Sequence, residues 1–205
     1  ILRPLYETTA QTMIVSNGMD FIDKLARFDD YALLPQTKFA TFKIIDVYLH
    51  VSHDHIDQAL GRFLTNALTG NRHHQLTIET IQQLIKLVLR NTHFVYDGYL
   101  YRHSKGSPLS LPLTRTLVNI YLHDWQAMLV NRLSPRDEMY LRYHDNVFLA
   151  WQQPLERLQV LLEELDRKHL DIRLASNVGS NVHFLGVYVE NQLGRLYTRV
   201  HHDTT

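Results

Sequence analysis

The sequence contains no cysteine, so neither a disulfide framework nor a thiolate metal site is open to it. It also lacks a basic surplus: Lys and Arg total 21, Asp and Glu total 21, and the formal net charge is zero. Each contact to a nucleic-acid phosphate draws on Lys or Arg, so tight autonomous binding along a phosphate backbone is disfavoured, while a local basic face is not. No apolar run approaches the length that spans a bilayer, and no signal peptide is visible. Neither secretion nor a membrane span is expected, and the sequence leaves nucleus or cytoplasm open. No repeat, low-complexity stretch or linker interrupts the chain, and its first residue, Ile1, points to an excised portion of something longer.

What is present suits a globular fold. In 205 residues, 45% are hydrophobic and 20% charged, enough for one sizeable domain, or a domain with a small subdomain. After an irregular opening, Phe21, Ile22, Leu25 and Phe28 predict a helix over Asp20–Phe28, and Lys38–Tyr48 reads as a strand. Ser52 caps a helix through Leu68, and Thr77 caps a second to Arg90. Phe94–Arg102 predicts a hairpin turning at Asp97-Gly98. A long helix, Ser110–Arg132, follows. Met139–Tyr143 and Val147–Trp151 are strands around His144-Asp145-Asn146, and Pro154 opens a helix to His169. Ile172–Ala175, His183–Glu190 and Arg195–His201 read as three more strands. This order is α+β, an antiparallel sheet backed by helices on one face.

The turn between Tyr143 and Val147 carries the most chemistry. It sets the carboxylate of Asp145 at the tip of a sheet, where nucleotidyl transfer needs acids to hold two metal ions about 3.5–4 Å apart. Alone, an Asp at a turn is ordinary, because turns favour Asp and Asn for backbone reasons.

Three further segments add to it. Thr41-Phe42-Lys43-Ile44-Ile45-Asp46-Val47-Tyr48 resembles motif A of reverse transcriptases from Penelope-like retroelements. Phe94-Val95-Tyr96, Tyr101-Arg102 and Lys105-Gly106-Ser107-Pro108, then Thr116–Tyr121, resemble that family's hairpin and motif B. Arg142–Phe148 is similar to motif C, and Phe184–Asn191 to the strand that closes the palm before the thumb. The segments stand in the family's order and span nearly the whole chain. The resemblance implies a polymerase palm-type antiparallel sheet with a partial fingers subdomain. About 1–37 and 70–105 would be fingers-proximal and about 38–69 and 106–205 palm. Early fingers, thumb and a GIY-YIG endonuclease would lie elsewhere in a larger chain. It further implies an RNA template and RNA–DNA duplex as partners, Mg²⁺ or Mn²⁺ as cofactor, Asp145 as a metal ligand, Tyr48 as the sugar gate and Gly106 in the template-positioning loop. Arg102 and Lys105 become candidates for phosphate contact.

The departures from the pattern matter as much. Lys43 stands where the family has its metal-binding Asp, and Asn146 replaces the second Asp of motif C. Asn keeps an acceptor oxygen but loses the charge, while Lys for Asp changes the local charge by two units. Loss of one well-placed electrostatic group commonly costs about 10²–10³ in rate, so an inactive site with weak or absent metal binding is expected. Asp46 is the alternative acid. On a regular strand it points away from Lys43's face, and a bulge near Ile44 or Ile45 would be needed to turn it inward. Pro108 and Ser110 replace small residues of the motif B loop.

Three functions follow: an inactive reverse-transcriptase domain, an active polymerase using Asp46 and Asp145, or a non-catalytic protein-interaction or RNA-binding scaffold. His50, His53 and His55 are expected at the surface or in caps. Trp125, Trp151 and the tyrosines of the hairpin are expected in core or half-buried positions.

Overall fold

The structure, a computed structural model, describes residues 2–68, 72–73, 76–133, 138–168 and 172–200. The opening is helical, α1 (Leu2–Ala10), where the sequence read as irregular. Asn17 caps α2 (Gly18–Ala32) by accepting the N–H groups of Met19 and Asp20. Strand β1 covers Lys38–Ile45. It stops before Tyr48 because Asp46 takes a left-handed conformation (φ 52°), which Asp tolerates better than most residues, and a single turn, α3 (Val47–His50), follows. Ser52 caps α4 (His53–Ala67), and β2 (Arg72–His73) and β3 (Leu76–Thr77) form a small ladder. Thr77 caps α5 (Ile78–Arg90). Then come β4 (His93–Tyr96), β5 (Tyr99–Arg102), α6 (Pro112–Val130), β6 (Met139–Tyr143), β7 (Asn146–Trp151) and α7 (Leu155–Lys168). The chain ends in β8 (Arg173–Gly179), β9 (Asn181–Phe184), β10 (Val187–Asn191) and β11 (Leu196–Val200).

These elements form two compact units, Ile1–Ala10 with Asp46–Ala127, and Gln11–Ile45 with Met128–Thr205. In the first unit α4 lies against α5, burying Ile56, Leu60, Phe63 and Leu64 on one helix and Ile78, Ile81, Ile85 and Leu89 on the other. Lys86 pairs with Asp57 at 2.9 Å, and Arg62 forks onto both oxygens of Asp124 of α6 at 2.8 and 2.7 Å. Those ties join α4 to α5 and α6 within this unit.

The second unit holds a four-stranded sheet, β6-β7-β1-β8, with every pair antiparallel. A three-stranded sheet, β11-β10-β9, shares its core. Helix α2 contributes Phe21, Leu25 and Phe28 to a cluster with Phe39, Phe148, Phe184 and Val189. Phe21 meets Phe148 and Phe184 at 4.9 Å in each case. On the opposite face of the larger sheet Phe42, Ile44, Val147, Leu149 and Trp151 are buried too. A sheet buried on both faces explains why these strands read as near-continuous apolar runs. Buried Asn191 is satisfied: its amide donates to the carbonyls of Leu34 (2.8 Å) and Thr37 (2.9 Å), and its oxygen accepts the Gly194 N–H.

Three strand expectations are corrected. His183–Glu190 is two strands, split at Leu185-Gly186, where φ is 51° and 73° as a type I′ turn requires. β8 continues past Ala175 to Gly179 because β1 offers it a ladder that far. The β4–β5 hairpin forms with its predicted turn, yet its side chains are exposed, Tyr96 at 70% and Leu100 at 71%, and not half-buried. Trp125 and Trp151 are buried as expected.

Candidate functional site

The predicted site residues fall into one set in each unit. In the second unit, the alternation of β1 exposes Lys43 while Phe42 and Ile44 beside it are buried. The register places Lys43 opposite Asn146 of β7 and opposite Ala175 of β8. Between Tyr143 and Asn146 the chain reverses through His144-Asp145, with His144 left-handed at φ 53°. Two ties hold that turn: the Asp145 carbonyl accepts the N–H of Ile44 at 2.8 Å, and the His144 carbonyl accepts from the guanidinium of Arg142 at 2.7 Å. Arg142 is itself buried, and its backbone exchanges hydrogen bonds with Met13 (2.8 Å) and Val15 (3.0 Å). The amide of Asn146 donates to the Asp145 carboxylate at 3.1 Å. Lys43, Asp145 and Asn146 are thus brought together at one end of the β1–β7 ladder.

A cleft of about 330 Å³ opens beside them, lined by Thr41, Lys43, Asn146, Ser176, Asn177 and His183 among others. Sequence reading missed Ser176, Asn177 and His183. The expected strand stopped at Ala175, before the first two; only their pairing with Phe42 and Thr41 reveals them as strand.

The donor set does not fit a pair of divalent ions. Mg²⁺ and Mn²⁺ ask for hard, anionic oxygen ligands, and this end of the ladder offers one carboxylate, a neutral amide and an ammonium. Among the described residues no three of His, Asp and Glu are grouped as a metal ion requires. Asp46 lacks the geometry its role demanded. The β1–β8 register runs unbroken from Phe39 to Ile45 with no bulge, and Asp46 is an exposed residue starting α3.

In the first unit Gly106 is fastened to the turn that bears Tyr48. Its N–H donates to the Val51 carbonyl at 2.8 Å, and the Ser107 N–H donates to the Tyr48 carbonyl at 3.0 Å. Gly106 has φ 58°, and a Cβ there would strike the carbonyl oxygens of Tyr48 and Leu49, the latter at 2.6 Å. Glycine is therefore required on two counts. His53 adds a tie the sequence did not suggest: its Nε2 lies 2.8 Å from the Gly106 carbonyl. Farther along, Thr114 donates to the Pro108 carbonyl at 2.7 Å and lies 2.9 Å from the buried Ser107 hydroxyl. Arg102 and Lys105 are exposed on either side of Ser104, and His50 and His55 are exposed as expected.

No protein-family model and no curated protein matches the sequence. Solved structures do. Telomerase from Candida albicans, in complex with a TWJ fragment of telomeric RNA, superposes with a TM-score of 0.79 at 14% identity, over 98% of this chain and 38% of that one. Apo telomerase from Candida tropicalis, truncated from its C-terminal domain, gives 0.75 at 11% identity over 97% and 44%. The RNA-dependent RNA polymerase of a human picobirnavirus gives 0.58 at 15% over 93% and 36%. The chain therefore has a reverse-transcriptase or polymerase-like palm fold and spans less than half the length of these proteins.

Proposed function

We propose that this chain is the palm and partial fingers of a reverse transcriptase of the Penelope-like kind, and that it does not catalyse polymerisation as written. The observation that carries the reading is Lys43 paired directly with Asn146 beside the Asp145 turn. An ammonium and an amide occupy the positions where the resemblance places two metal-binding carboxylates, while the strands that would aim those carboxylates are intact. Supporting it, the template-loop geometry of Gly106 beside the Tyr48 turn has the steric tightness that such a loop uses to approach a base pair. The role left to such a domain is to hold an RNA or RNA–DNA duplex within a larger chain; a telomerase neighbour is itself in complex with a TWJ fragment of telomeric RNA.

Primer extension on an RNA template with Mg²⁺ and with Mn²⁺ tests this. The chain is expected to give no product, and a Lys43→Asp, Asn146→Asp double variant to extend the primer. Product from the unaltered chain overturns the assignment of the acids and reopens the Asp46 reading.

A second reading, a protein-interaction module, is favoured by one observation: Val95 and Leu100 pair on one face of the β4–β5 hairpin, at 70% and 71% exposure. RNA binding that weakens with salt argues against it.

A further inference from the structure

We propose that the cleft at Lys43 is an anion site that holds a phosphate group without any divalent metal ion. A site that has lost metal-binding acids can become merely empty, or it can change sign. Four features of this cleft favour the second outcome.

The first is the ammonium itself. Lys43 is exposed toward the cleft, and among the described residues it has no hydrogen bond or ion pair that would neutralise it. Charge-assisted contacts to phosphate are among the stronger hydrogen bonds a protein makes, and an unpaired ammonium has all three donors to give.

The second is what surrounds it. In the register, Thr41 lies opposite Asn177, and Lys43 lies opposite Asn146. Residues directly opposite share a face, so one hydroxyl, two amides and one ammonium point to the same side of three adjacent strands. His183 also lines the cleft. Third, the residue beside Lys43 on β8 is Ala175, whose small side chain leaves the space that the cleft occupies.

The fourth concerns the neighbouring carboxylate of Asp145. Asp145 does not line the cleft, and its carboxylate accepts from the Asn146 amide at 3.1 Å. That leaves Lys43 as the only formally charged side chain among the lining residues. Phosphate has its several oxygens to accept from such a ring of donors, whereas a hydrated divalent cation would meet an ammonium and be repelled.

The chemistry is shared by two sources, a backbone phosphate of a nucleic acid and a free phosphate compound. The inference rests on the reading above only in taking the metal site as lost.

The test is a titration of the ¹⁵N-labelled chain with inorganic pyrophosphate in EDTA, following the backbone amides of Lys43, Ala175, Asn177 and His183. Saturable shifts confined to the cleft are expected, unchanged when EDTA is replaced by Mg²⁺. Lys43→Gln should weaken binding at least about tenfold, the loss of one charge-assisted contact, and Lys43→Arg should keep it. Because Lys43 is exposed, both variants are expected to fold, and their spectra away from the cleft report whether they do. An RNA oligonucleotide that displaces pyrophosphate assigns the site to a backbone phosphate; one that binds without displacing it assigns the site to free phosphate compounds. Absent cleft shifts, or equal affinity in Lys43→Gln, overturn the anion site and leave the inactive-polymerase reading standing. Shifts that require Mg²⁺ overturn both.

Discussion

The turn at Gly106 and the turn at Asp145 each carry a motif of the same resemblance, and they have fared differently. At Gly106 the demand is for shape: a positive φ, no room for a Cβ, and a carbonyl within 2.8 Å of His53. At Asp145 the proposed metal site would demand charge as well as shape. The His144-Asp145 reversal is clamped by Ile44 and buried Arg142, yet the side chains beside it are an amide and an ammonium. Backbone geometry is set by many neighbours at once, so it survives single substitutions. Chemistry at an exposed strand position rests on one side chain, and its replacement leaves the fold untouched.

The contrast can be broken or sharpened by four variants. The largest effect is expected from Gly106→Ala, where strain and a backbone clash add, costing about 2–5 kcal/mol in urea denaturation. A midpoint shift below that range would mean that the loop gives way more easily than its hydrogen bonds suggest. Arg142→Met removes the guanidinium under the His144 carbonyl and should cost about 1.5–3 kcal/mol by thermal unfolding. If stability is unchanged, the turn does not need its clamp. His53→Ala should cost only about 0.5–1.5 kcal/mol, with faster amide exchange at Gly106 and Ser107 as the local signature. Exchange unchanged there would remove His53 from the loop's support. Smallest of all, Lys43→Gln should leave stability within about 0.5 kcal/mol, as for other exposed positions, and a larger loss would show that the ammonium has a structural partner.

Much of this was legible in the sequence because it is local. The caps at Ser52 and Thr77 and the hairpin at Asp97-Gly98 are short-range signals, and all three form. Lys43 and Asn146 stood out by their positions within the resembling segments, and the register puts the two residues face to face. What stayed hidden depends on partners distant in the chain. Nothing near Ser176-Asn177 announces a strand, since their pairing comes from β1 more than a hundred residues earlier. The Leu185-Gly186 turn was masked by apolar residues on both sides, and Leu-Gly is not the Asp-Gly pair that located the turn at Asp97-Gly98, although both turns take positive φ at their two central residues. Exposure of the β4–β5 aromatics was unreadable for a different reason: a hairpin's pattern states which residues share a face, not whether anything covers it.

The proposed change of sign at the Asp145 turn is tested most directly by Mn²⁺. In ¹⁵N spectra, paramagnetic broadening at the amides of Asp145 and Asn146 is expected in Lys43→Asp, Asn146→Asp and not in the unaltered chain at the same Mn²⁺ concentration. Equal broadening in both would show that the ammonium at Lys43 does not exclude the metal, and would contradict a charge-inverted site.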